Sequence, residues 1–215
     1  MSPTASRGPG RPPAAKADET RQRIVRAARL VFNERGYDGA TFQEIASRAD
    51  LTRPAINHYF PSKRLLYREV LAQANELVIG SAIREARWQT TLVGRLTAFI
   101  SVAVSANAEN PGVAAFLVTA VLESQRHPEL SGIENDCVRL SREFLTGAVK
   151  DAIKHREVSA DVEPSALVET LLVVLCGVGF YSGYIRSHEE MLAVTEILRQ
   201  LLEGALWRAG GAIRA

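Results

Sequence analysis

Arg53 and Asn57 stand four residues apart in the segment Thr52-Arg53-Pro54-Ala55-Ile56-Asn57-His58-Tyr59-Phe60. On a helix that spacing puts the two on one side, as it does Pro54 and His58. Ile56 and Phe60 fall on the other side. A guanidinium fork matches the O6/N7 edge of guanine, and a carboxamide matches the N6/N7 edge of adenine. One side of a short helix is thus suited to base edges in a major groove, while the apolar side holds it to a body. Other groups nearby are suited to gripping phosphate, which fixes register but reads no sequence. Thr41 and Thr52 open helices, where free N–H groups and the helix dipole attract anions. Lys63 is similarly placed, and His58 and Tyr59 flank the reading pair.

Three helices must position these groups. Ile24, Ala27, Ala28 and Val31 recur at helical spacing from Asp18 onward. This helix stops at Gly36, which tolerates the left-handed conformation of a helix end. Thr41-Phe42-Gln43-Glu44 has the capping-box form, in which each side chain satisfies a free backbone N–H. Phe42, Ile45, Ala46 and Ala49 continue it as an apolar stripe. Asp50-Leu51 is a short break, and Thr52 caps the next helix. Pro54 is tolerated in its first turn, and Pro61 ends it. Helix, short turn, helix within residues 41–60 is a helix-turn-helix layout. Ser62 caps a longer helix that reaches Trp88.

Charge supports a polyanionic partner for the front of the chain. Residues 1–78 carry thirteen Lys/Arg against eight Asp/Glu, and the rest thirteen against sixteen. Residues 1–17 hold Arg7, Arg11 and Lys16 among Pro and Gly and read as a flexible basic arm. Arg11, between Gly10 and Pro12, fits a narrow minor groove, or belongs to a solubilising tail.

Residues 20–66 resemble the DNA-binding domain of the TetR family of regulators. The resemblance is carried by Gly36-Tyr37, Ala40-Thr41-Phe42, Ile45-Ala46, the run Ala49 to Phe60, Pro61-Ser62-Lys63 and Leu66. It implies that Thr41, Thr52, Arg53, Pro54, Asn57, His58, Tyr59 and Lys63 face DNA. Family members often carry an aromatic residue in place of Asn57, and a small residue in place of Pro54. The resemblance also implies a second domain that dimerises through its last two helices and holds a small-molecule pocket. Three domains are expected: the arm (1–17), a helix-turn-helix domain (18–64) and a helical regulatory and dimerisation domain (65–215). The fold class is all-α, with about nine helices.

The rear is punctuated into helices from Thr91 to Ala108, Val113 to Gln125, and from near Ser131, with Ile133, Cys137, Leu140, Phe144 and Ala148 as the stripe of the last. Further helices open at Pro164 and run from Glu189 to Trp207. The stretch Ala166 to Tyr184 is apolar nearly all round and demands burial on several sides. Gly177, Gly179 and Gly183 permit close approach of another helix. With the last helix it builds either a homodimer interface over residues 164–207 or a buried core. Phe99, Phe116, Thr119, Glu123, Cys137, Phe144 and Phe180, with Trp88 and Tyr181 beside them, line a pocket or belong to plain core.

Other function classes find little support. There is no Gly-rich phosphate loop after a strand and no nucleophile elbow, so no enzyme is expected. The four histidines and two cysteines, Cys137 and Cys176, show no metal-ligand spacing, and no cofactor is expected. So few cysteines suit a reducing, cytoplasmic setting. The uncharged run Thr170 to Ile185 is shorter than the ~20 residues that span a bilayer, so no membrane is expected. The expected function is a transcriptional repressor that binds a palindromic double-stranded DNA operator as a homodimer and is released by a small-molecule effector. A ligand-independent or architectural DNA-binding protein is the alternative.

Overall fold

The computed structural model describes residues 13–130, 137–159, 161–184 and 187–206. Their regular elements are all helices, with no strand among the described residues, and the chain divides into two compact units, residues 1–70 and 71–215.

In the first unit, α1 (Pro13–Gly39) starts five residues before Asp18, inside the segment expected to be unstructured. Proline at the first helical position needs no N–H partner, and Ala14, Ala15 and Ala17 are strong helix formers. Ile24, Val25, Ala27, Ala28, Val31 and Phe32 are buried along one face. The regular helix breaks at Gly36 (φ 68°, ψ −179°), a conformation open essentially to glycine alone. The chain then turns Tyr37 back into the core, where its ring meets the edge of Tyr67 (5.1 Å), which in turn meets Phe32 (4.9 Å).

The short helices α2 (Phe42–Arg48) and α3 (Arg53–Tyr59) are each held by a threonine cap. Thr41 Oγ1 accepts from Glu44 N–H (3.1 Å), and Thr52 Oγ1 from Ala55 N–H (3.3 Å). Only the threonine half of the expected capping box forms at Thr41. The Glu44 carboxylate instead accepts from Arg35 Nε (3.1 Å) and, at 3.5 Å, from the Thr41 hydroxyl. Between the helices Asp50 takes a positive φ of 52°. Leu51 N–H then returns to Ala46 O (2.9 Å) and Asp50 N–H to Ser47 O (3.2 Å), closing the end of α2 in a Schellman motif. Asp is one of the few non-glycine residues that accept this position. Phe60 is extended before Pro61 and ends α3. Ser62 caps α4 (Lys63–Asn75), accepting from Leu65 N–H (3.2 Å).

Helix α4 continues without interruption into a π-helical turn (Glu76–Gly80) and α5 (Ser81–Ala86), two residues short of Trp88. With 63–86 taken as one run, the described residues hold nine α-helical runs. The second unit then contains α6 (Leu92–Glu109), α7 (Val113–Arg126), a 3₁₀ turn (Pro128–Leu130), α8 (Cys137–Lys154), α9 (Pro164–Tyr184) and α10 (His188–Leu202). Helix α6 is the hub, touching α5, α7, α8, α9 and α10. Polar clasps set the registers. Arg95 Nη1 donates to Asp151 (2.8 Å) between α6 and α8, and Arg142 forks onto Glu169 (2.7 and 3.3 Å) between α8 and α9. Asn107 joins three helices, donating to Ser182 O (3.1 Å) and accepting from Ala114 N–H (3.2 Å).

Several rear expectations need correction. The buried face of α8 is Ser141, Leu145, Ala148, Val149 and Ala152, whereas Cys137, Leu140 and Phe144 are half-buried. Helical period groups residues by side but does not say which side meets the core. Ile133 lies outside the described residues, as does Trp207, and the last helix ends at Leu202, before Gly204 at φ 71°. Of the three α9 glycines, Gly183 alone makes a close approach: a Cβ there would meet Ala115 backbone at 3.0 Å, while one at Gly177 or Gly179 would meet open space. Counting past Glu169, Pro164–Gly183 is 20 residues of mean hydropathy 1.8, as long and apolar as a membrane-crossing helix. In this fold Leu171, Leu172 and Leu175 are buried against protein.

Candidate functional site

Two features stand out, one in each unit. In the first, α3 is anchored from below by Ile56 and Phe60, which are 0% and 3% exposed. The guanidinium of Arg21 lies 5.2 Å above the Phe60 ring and is itself paired with Glu69, which raises its pKa through the hydrogen bond to that carboxylate. On the other side Thr52, Arg53, Pro54, Asn57 and His58 are exposed and Tyr59 half-exposed, its ring edge-on to His58 at 5.3 Å. Neither Arg53 nor Asn57 has a hydrogen-bond or ionic partner among the described residues. Their side chains are therefore free to meet a ligand at no internal cost. Thr41 is exposed at the start of α2.

Nearby arginines are already committed. Arg48 forks onto Glu34 (2.5 and 2.8 Å), which holds that carboxyl below its ordinary pKa. Lys63, expected to grip phosphate, also has partners within the protein. Its ammonium donates to Asp38 O (3.0 Å) and Ala40 O (3.3 Å) and lies 4.7 Å from the centre of the Tyr37 ring. It fastens the loop that precedes α2, and sequence spacing could not show a partner twenty-five residues upstream. Arg11 lies outside the described residues.

In the second unit an open-mouthed cavity of about 370 Å³ is lined by residues of the π turn, α6, α7, α8 and α9. Of the seven candidate residues, Phe99, Cys137 and Phe180 line it. Four other candidates do not. Phe116 is 1% exposed and packed in the core. Thr119 donates its hydroxyl to Ala115 O (2.9 Å). Glu123 is buried beside His127 Nε2 (3.4 Å). Phe144 stacks on Phe99 at 5.3 Å but faces a separate polar depression with Arg87, Arg95 and Asp151. Trp88 is 81% exposed, and Tyr181 is also exposed. Cys176, placed by its neighbours among buried residues, is instead exposed at the rim of the cavity. Sequence reasoning missed Val78 and Ile79 of the π turn, Ser141 and Ser182, which complete the wall. Among the described residues no group of three His, Cys, Asp or Glu could hold a metal ion.

Large apolar side chains are exposed on both of the last two helices: Val173 (71% exposed), Phe180 (60%) and Tyr181 on α9, and Leu192, Ile197 and Leu201 on α10.

Comparison with known proteins agrees with this geometry. Residues 24–70 match the bacterial regulatory proteins of the tetR family. The HTH-type transcriptional regulator UidR of Escherichia coli K12 is 26% identical over 165 residues, which are 76% of this chain and 81% of that protein. The HTH-type transcriptional repressor BepR of Brucella suis is 42% identical over 60 residues, 28% of this chain and 29% of the relative. Among solved structures, Salmonella enterica GusR superposes with a TM-score of 0.65 at 26% identity, covering 87% of this chain and 95% of that one.

Proposed function

Because this chain belongs to the TetR family and is a helix-turn-helix transcriptional regulator, with residues 24–70 as its matching domain, we propose that it is a cytoplasmic repressor that binds a palindromic operator as a homodimer and leaves it when a small molecule fills the cavity of the second unit. The observation that carries the reading is the split character of α3. Ile56 and Phe60 are locked into the core, while Arg53 and Asn57 stand bare on the other side. An anchored helix with an uncommitted polar face is what a major groove accepts.

In this reading Arg53 takes a guanine edge and Asn57 an adenine edge. Thr41, Thr52, Pro54, His58 and Tyr59 touch backbone and sugar, setting register. Lys63 contributes chiefly by holding the loop before Thr41. Arg11 and the residues around it add positive charge near the duplex. Two heads are required for a palindrome, and the exposed apolar side chains of α9 and α10, within residues 164–207, supply a self-complementary surface to join them. The cavity wall includes Val78 and Ile79, which directly continue the run of α4. An effector bound there acts on α4 by stabilising one of two conformations, to the extent of its differential affinity for them. The relatives are regulators, and the role proposed here is regulatory, without catalysis.

The test is binding of the purified protein to fragments of its own upstream DNA, with excess random DNA as competitor, at two salt concentrations. Retention against the competitor is expected, with affinity falling as salt rises. Loss of all fragments to the competitor, followed by failure to enrich any genomic fragment, would refute sequence-specific regulation.

A further inference from the structure

We infer that the effector is an uncharged, predominantly apolar molecule, one that carries neither a carboxylate nor a phosphate into its site. The inference rests on the regulatory reading above and gives the second unit its ligand class. Among the described residues no Asp, Glu, Lys, Arg or His lines the cavity. Its wall is built from branched aliphatic residues of four helices, closed by Phe99 and Phe180. The polar side chains in it are few: the thiols of Cys137 and Cys176 and the hydroxyls of Ser141 and Ser182. The Ser182 hydroxyl already donates to Gly179 O (3.0 Å), so Ser141, 6% exposed, is the hydroxyl best placed for an incoming group.

A charged group taken into such a wall loses its hydration and gains no counter-charge. Leaving the charge at the mouth does not rescue it, because the exposed lining residues among those described, Leu122, Cys176 and Phe180, carry no charge either. Arg87, Arg95, Glu143 and Asp151 line a separate depression, which Phe144 also borders. The volume is at the lower end of drug-sized sites and fits a compact ring system better than a large conjugate.

The experiment uses the full chain and the uncharged fluorophore N-phenyl-1-naphthylamine, whose emission rises in apolar surroundings. Two competitors of the same frame, 4-biphenylmethanol and 4-biphenylcarboxylate, displace it at pH 8. The alcohol is expected to act at a concentration at least ~10-fold lower, the ratio set by the unpaired charge of the carboxylate. Gly179→Ile places a branched side chain where an added Cβ meets open space and is expected to abolish fluorophore binding while melting temperature and DNA binding persist. Ala103→Phe fills the same wall from α6 should the first variant not fold. Equal or better displacement by the carboxylate, displacement by neither compound, or full binding by the folded variants would overturn the inference. DNA binding is followed on the same samples. Sequence-specific binding with any of those three results leaves the regulator reading standing. Fluorophore binding as expected, with no sequence-specific DNA binding, overturns the regulator reading alone.

Discussion

Helices α3 and α9 are both covered on one side and bare on the other, yet they leave opposite chemistry exposed. Helix α3 shows Arg53, Asn57 and His58, while α9 shows Val173, Phe180 and Tyr181. A bare polar face costs nothing in water and waits for a charged or hydrogen-bonding partner. A bare apolar face is a standing penalty of ~25 cal/mol per Å² until something covers it. The first can serve a reversible encounter with DNA, and the second calls for a lasting protein neighbour. In the proposed reading one unit meets its partner through specificity and the other through burial.

The largest effect should come from the covered side of α3. Ile56→Ala is expected to cost ~2–5 kcal/mol of stability in the first unit, read as a lowered thermal midpoint, whereas Val173→Ala on the bare side of α9 should leave the fold of an isolated chain unchanged. Equal losses from the two would erase the distinction between anchored and bare faces. Next, Phe180→Asp combined with Ile197→Asp should give single chains in sedimentation. The same variant should weaken operator binding by ~100-fold, because the second head loses its tethered effective concentration. A double variant that remains dimeric would move the interface elsewhere.

Arg53→Ala should cost ~1–3 kcal/mol at one base position and little at others, measured by binding to operators mutated one pair at a time. Lys63→Ala should instead lower affinity for every sequence together with the melting temperature, since its ammonium holds the loop through Asp38 O and Ala40 O. Thr52→Ala removes the cap of α3 and should cost ~1 kcal/mol. The smallest effect is one of pH. Glu196 on α10 is held down to about 2 by hydrogen bonds from Arg199 and Gln200. A carboxyl depressed in this way contributes at neutral pH, and the contribution is lost as pH falls from its ordinary 4.5 through about 2. Circular dichroism should show α10 weakening only within that window.

The first unit was more legible than the second for a physical reason. Thr41, Thr52 and Ser62 cap helices through neighbours three residues away, and Pro61 and Gly36 act on their own backbone. Such signals are local, and the position of Arg53 and Asn57 follows from them. What the sequence hid there was non-local: the grip of Lys63 on Asp38 and Ala40. In the second unit most packing decisions are non-local. Phe116 and Glu123 sit on α7 with the same period as the cavity residues Leu117 and Val121, yet they face core instead. A helix with neighbours on several sides has more than one apolar face, and periodicity does not tell them apart.

The chain has two cysteines, and both border the same cavity. The protein therefore carries a built-in pair of chemical reporters. Alkylation followed residue by residue in a mass spectrometer would register whether that space is filled, in a cell extract as readily as in a cuvette, with no label added to the sequence. Protection of the half-buried thiol against that of its neighbour at the rim would show how deeply an occupant sits.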